Sequence, residues 1–213
     1  MKKRREILKA AVIGGFANLA QTAYSMGTQP LPAGFRKIKG DVFLNGVKAH
    51  NNQVILEGDT VSTGLKSEAT YVIGADAYLL RENSRVSYIR DGVVPAMRVI
   101  TGKVLSVFGP GEKRINVPTA TIGIRGTGCY IEAAEEIVYF CLCYGTADIV
   151  PLADTGQAQT ITTLYHDSPF YIGKDHTSRT LMQRAPVINH TDLELVMLEY
   201  EVDRRPPFVP GKY

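Results

Sequence analysis

The chain has 213 residues, 45% of them hydrophobic and 21% charged, with no Trp and 3 Cys. These proportions exclude disordered, collagen-like and coiled-coil chains and leave one globular domain, with or without a small appendage. The formal charge of +3 is concentrated at one end: Lys2, Lys3, Arg4, Arg5 and Lys9 against Glu6 give +4 within residues 1–25, so the remainder carries 3 − 4 = −1. The folded part therefore lacks the basic excess that a nucleic-acid partner requires.

Residues 1–25 read as an export signal: a basic head, a short apolar middle and a small-residue end at Ala23-Tyr24-Ser25. Arg4-Arg5 followed by Ile7-Leu8-Lys9 follows the pattern of a twin-arginine signal, so the twin-arginine export machinery is the expected first partner. The apolar run from Ala10 to Ala23 contains Gly, Asn, Gln and Thr, and falls short of the roughly 20 apolar residues that a membrane span needs. No membrane span is expected in the mature chain, which is placed in the periplasm of a Gram-negative bacterium. Residues 26–37, rich in Gly and Pro, read as a linker.

From residue 38 to 175 short runs of β-branched and aromatic residues alternate with polar ones, separated by turn signals such as Asn45-Gly46, Asp91-Gly92 and Gly109-Pro110-Gly111. A turn about every ten residues predicts an all-β fold, an antiparallel sandwich, roll or short solenoid. Val104, Ser106 and Phe108 share one side of their strand and Leu105 and Val107 the other, so that strand is expected between two layers. Residues 176–213 form a C-terminal helical appendage in this reading. Thr191 and Glu194 make a capping box, and Leu193, Met197 and Tyr200 follow at helical spacing with Leu195 and Leu198 beside them. Pro206-Pro207 ends the helix.

Gly58-Asp59-x-Val61-x-Thr63-Gly64, Thr101-Gly102-Lys103-Val104, and Pro118-Thr119-Ala120 followed by Arg125-Gly126-Thr127 occur in this order. Over about residues 53–133 the chain resembles the FecR-like domain, a periplasmic all-β domain best known from the iron-dicitrate sensor. The resemblance implies a β fold and a binding or signalling module. Sensors of that family carry a cytosolic segment and a spanning helix before the domain. Here the domain follows an export signal, so the relay to a sigma factor is not implied. Residue by residue, Gly58, Gly64 and Gly126 are expected in turns with positive φ, Asp59 against nearby amides, and Arg125 against buried carbonyls. A clamp on a ligand carboxylate is the alternative role for Arg125. Gly123-Ile124-Arg125-Gly126-Thr127-Gly128 lacks the Lys-Ser/Thr ending of a nucleotide loop.

All three cysteines, Cys129, Cys141 and Cys143, lie in one predicted hairpin whose tip is near Ala134-Glu135-Glu136. Cys141 and Cys143 share a face. If Ala133 pairs with Ile137, Cys129 lies opposite Cys141, and a loop one residue longer or shorter turns Cys129 to the other face. Three readings follow: small core residues, a Cys129–Cys141 disulfide, or a soft-metal site. In the last, Cys129, Cys141, Cys143 and His166 would take Zn, Cu(I) or iron. His166 is preferred because its strand follows the hairpin closely; His50, His176 and His190 sit in looser contexts. Asp167 alternates away from His166 on a strand, and Tyr165-His166-Asp167 beside Ser168 cannot converge as a triad. No enzyme is therefore expected. The primary reading is an exported, non-enzymatic binding or signalling module with a protein partner or small ligand in the periplasm. The alternative is a periplasmic metal-binding or redox protein.

Overall fold

The structure, a computed structural model, describes residues 33–175 and 180–209. The predicted export signal and His176 lie outside the described residues, as does all of the predicted linker before residue 33. The first strand, β1 (Gly34–Lys39), begins within the segment read as a linker. Alternating sequence and turn residues then give β2 (Val42–Leu44), β3 (Val47–Lys48), β4 (Thr60–Thr63), β5 (Glu68–Ile73), β6 (Asp76–Leu80) and β7 (Arg85–Asp91). Three long strands follow around β9 (Glu112–Val117): β8 (Val94–Val107), β10 (Ala120–Ala133) and β11 (Ile137–Pro151). The chain closes with β12 (Gln159–Thr163), β13 (Ser168–Gly173), β14 (Met182–Arg184) and the helix α1 (Asp192–Tyr200). The all-β architecture with one C-terminal helix is as the sequence predicts.

All fourteen strands belong to one hydrogen-bonded network that does not close into a barrel. Pairing is antiparallel except between β8 and β9, which run parallel. The long strands change partners along their length. The first part of β8 pairs with β7 and its last residues with β6 and β10. β10 pairs with β9 up to Arg125, then shifts register between Arg125 and Gly128 and continues against β8. Gly126, at φ +57°, sits in that irregularity, where a left-handed backbone favours a residue without Cβ. Such bulges bend a strand, and the bend lets one long strand serve both halves of the network.

Side-chain alternation sorts the interior into two apolar clusters. Val104, Phe108, Ile131, Val138, Phe140 and Leu142 belong to the larger one, together with most of the N-terminal strands. Leu105, Val107, Tyr130, Tyr139, Cys141 and Cys143 point the other way, into a second cluster that also holds Leu195 and Leu198 of α1. The strand containing Val104 to Phe108 thus lies between two layers, as its doubly apolar pattern predicts. The helix is the cover of the second face and packs over β6 and β8.

The capping box forms: the Thr191 side chain accepts from the Glu194 amide, and the Glu194 carboxylate accepts from the Thr191 amide. The buried stripe differs from the predicted one. Leu195, Leu198 and Glu199 are buried, while Leu193, Met197 and Tyr200 face outward, Leu193 at 74% exposure. Both stripes satisfy helical spacing, and polar anchors at both ends select between them. Arg81 donates to Glu194 (2.8 Å) near the first turn. Near the last turn, buried Glu199 accepts from the Tyr144 hydroxyl and from Arg204 Nε (2.6 Å).

The segment read as an appendage is therefore joined to the body by β14, which pairs with β13, and by α1. Leu195→Ala is expected to cost about 2–5 kcal/mol of stability. Leu193→Ala should stay within about 0.5 kcal/mol. The urea midpoints of the two variants check which face of the helix is docked.

Candidate metal centre

The tip of the β10–β11 hairpin is shorter than a three-residue loop. The Ala134 amide donates to the Ile137 carbonyl (3.1 Å), and Ala133 pairs with Val138, leaving Glu135 and Glu136 as the turn. From Ala133–Val138 to Cys129–Leu142, every pair is shifted by one residue from the Ala133–Ile137 register. Cys129 stands opposite Leu142, and Tyr130 opposite Cys141. A shift of one exchanges the faces of a strand. Cys129 is consequently buried in the larger cluster, on the side of the sheet away from Cys141 and Cys143. All three cysteines are free and buried, so the Cys129–Cys141 disulfide is absent and Cys129 packs as a small core residue.

Cys141 and Cys143 meet His166 and His190 instead. The four candidate ligand atoms lie within 4.8 Å of one another. Cys141 Sγ is 3.5 Å from His166 Nδ1, Cys143 Sγ is 3.5 Å from His190 Nε2, and the two ring nitrogens are 3.1 Å apart. Zinc–sulfur bonds of about 2.3 Å and zinc–nitrogen bonds of about 2.0 Å, set tetrahedrally, give sulfur–nitrogen edges of about 3.5 Å and a nitrogen–nitrogen edge of about 3.3 Å. Three of the six separations, the two sulfur–nitrogen edges and the nitrogen–nitrogen edge, match such a tetrahedron, and the group could hold a metal ion.

Each ligand comes from a different structural device. The two thiols come from adjacent same-face positions of β11. His166 lies in the turn between β12 and β13, at φ +45°, where its amide donates to the Cys143 carbonyl (3.0 Å). That turn is tied by Asp167, whose carboxylate accepts from the Thr163 hydroxyl and from the Leu164 and Tyr165 amides. His190 immediately precedes the N-cap of α1, and its ring stacks on Tyr130 with centroids 4.7 Å apart.

The outer nitrogen of His190 is held by a hydrogen bond, as metal-binding histidines require, and that of His166 faces a carboxylate. His190 Nδ1 is 2.6 Å from the Ile188 carbonyl, which can only accept, so Nδ1 donates there and Nε2 faces Cys143. His166 Nε2 lies 3.3 Å from Asp192 Oδ1, within ion-pairing range though off hydrogen-bond alignment. Tyr165 donates to the other oxygen of Asp192 (2.7 Å).

The thiols are electrostatically unequal. The hydrogen bond from Cys143, and then those from His166 and His190, hold the Cys141 thiol well below its ordinary value against the cost of burial. Burial, and then the Cys141 thiolate, push Cys143 far up. Burial opposes the His166 cation, but its hydrogen bond to Cys141 and the charges of Cys141 and Asp192 raise its pKa. A divalent ion at this site would replace the thiol protons and bind all four ligands at once.

Sequence reasoning placed Cys141, Cys143 and His166 together and included Cys129 where His190 stands. The helix start at Thr191 was legible, and His190 is adjacent to it. What the sequence lacked was the docking of that start beside β11. Asp167 is not a partner of His166, consistent with its expected orientation, although the cause is the turn rather than strand alternation. Asp59 accepts from the Leu56 amide (2.7 Å) as expected, and Gly58 takes φ +94°. Gly64 does not adopt positive φ; an added Cβ there would meet Asp41 Cβ at 3.2 Å. Arg125 is exposed beside the β10 irregularity, so it does not serve buried carbonyls.

No family model matches the chain, and no curated protein does. Two solved structures share its fold, both of a "putative anti-sigma factor" from Parabacteroides distasonis. One has a TM-score of 0.50 at 7% identity, covering 67% of this chain and 74% of its own. The other has a TM-score of 0.50 at 9% identity, covering 72% and 81%. At these identities the likeness is one of fold.

Cys143→Ala is expected to abolish stoichiometric zinc binding, whereas Cys129→Ala should retain it. The zinc-to-protein ratio of the purified variants checks the assignment of faces.

Proposed function

We propose that the protein is an exported, non-enzymatic binding and signalling module of the FecR-like type that holds one transition-metal ion at Cys141, Cys143, His166 and His190. The observation that carries the metal assignment is the agreement of three measured ligand separations with tetrahedral edges. Two thiolates and two imidazoles in that geometry favour Zn(II) over Cu(I) or iron. Four protein ligands leave no position for a substrate or an activated water, the arrangement of a structural rather than a catalytic zinc.

The signalling part of the reading rests on the family motifs in residues 53–133 and on the β architecture shared with the two anti-sigma-named structures. Its partner is a protein or small ligand in the periplasm. Among the described residues no helix is long and apolar enough to cross a membrane. Export through the twin-arginine route fits a buried site of reduced thiols, because that route carries folded proteins with their cofactors in place.

The full chain, produced in a Gram-negative host, should yield a periplasmic product shortened by about 25 residues and containing one zinc per chain. Asp192→Asn should weaken zinc binding by about 10- to 100-fold in a chelator competition. A product that takes up neither Zn(II) nor Cu(I) under reducing conditions would overturn the metal assignment. A cytoplasmic, unshortened product would overturn export.

A further inference from the structure

The four ligands lie on three segments far apart in sequence. Cys141 and Cys143 are on β11, between β10 and β13; His166 is in the β12–β13 turn; His190 is in the strap that leads into α1. His190 is the one ligand carried by the C-terminal segment, so an ion at this site joins that segment to the sheet. Asp192, beside His166 Nε2, lies in the first turn of the same helix.

The rest of the segment docks on the second face, where buried Glu199 accepts from Tyr144, and Arg204 donates to the Ala75 carbonyl. Leu195 and Leu198 lie on the second apolar face. Tyr139 Oη accepts from the Ile188 amide and donates to the Pro186 carbonyl. Arg81 reaches Asn189 and Glu194, and Arg36 pairs with Glu201 at a partly exposed position. None of these contacts takes part in the large cluster between the layers. A short, locally docked element of this kind opens at lower free energy than the core strands.

We infer that the metal acts as a clasp: occupancy of the site determines whether residues 186–209 stay on the sheet, and loss of the ion frees the segment and uncovers the apolar face that includes Leu79, Leu105, Tyr130 and Tyr139. The inference rests on the metal assignment and adds a regulatory consequence to it. An ion that binds only the docked state multiplies the closing equilibrium by 1 + [ion]/Kd. At free Zn(II) about 1,000 times Kd, the closing equilibrium rises about a thousandfold. The effect is local, because opening the segment removes His190 from the site and leaves the β body intact.

The test is hydrogen exchange on the full chain, with Zn(II) alone as ligand and with zinc withdrawn by a chelator, alongside a direct measurement of zinc content. With zinc in that excess, amides within 188–203 should exchange about a thousandfold more slowly than after chelation. Amides of β4 and β7 should not change. In His190→Ala the zinc dependence of 188–203 should vanish, while a β body with unchanged exchange shows that the variant is folded. One zinc per chain with unchanged protection of 188–203 would overturn the clasp and leave the metal assignment standing. Zinc-dependent protection that rises equally in β4 and β7 would also overturn it, since the ion would then support the whole fold. Failure of the wild-type chain to bind zinc would remove both.

Discussion

The two-residue tip formed by Glu135 and Glu136 sets the register of β10 against β11, and through it the content of each face of the sheet. With Ala133 opposite Val138, the odd-numbered positions of β11 from Tyr139 to Cys143 face the helix and the even-numbered ones face the large core. Cys141 and Cys143 thereby reach His166 and His190. A slip of one residue along β11 would bury both thiols among aliphatic side chains and turn Phe140 and Leu142 toward the helix. The large core opposes that slip, because Phe140 and Leu142 are fully buried there and moving them out would sacrifice several kcal/mol.

The same register explains why the second face tolerates polar chemistry. It is a thin layer, one sheet covered by one helix and its lead-in, and its polar groups are supplied with partners. Tyr130 donates to Glu132 (2.8 Å), Tyr139 to the Pro186 carbonyl (3.0 Å) and Tyr144 to Glu199. Burial raises the phenol pKa of all three, which keeps them neutral donors. The helix is fixed by Tyr144 at Glu199, and by Arg81 and Arg204 at its ends. Its hydrophobic contact is small, two leucines, so specific polar contacts determine its orientation. This is why the outward stripe of Leu193, Met197 and Tyr200, equally periodic, is not the one buried.

Much of the fold was legible in the sequence because its causes are local. Turn residues at regular intervals, alternation in Arg85–Arg90 and the doubly apolar run from Val104 to Phe108 are properties of a few consecutive residues, and the strands follow them. The Thr191–Glu194 capping box is local too, and it forms as expected. The candidate site was legible in part. Two cysteines at i and i+2 must share a face whatever the rest of the chain does, and His166 follows closely enough to be brought near. Arg125 and Gly64 were misjudged because burial and φ at a bulge or loop depend on neighbours distant in sequence.

The sequence by itself determined an all-β body, a capped C-terminal helix, and the shared orientation of Cys141 and Cys143, since strand alternation and capping are fixed by residues within a few positions of one another. Tertiary structure alone decided that Cys129 belongs to the core and that His190 completes the group. A hairpin tip of two residues rather than three reverses the facing of side chains as far as Cys129 and Leu142, and the place where a helix docks is set by the faces, here those of Leu195 and Tyr130, that come together only when the sheet is built.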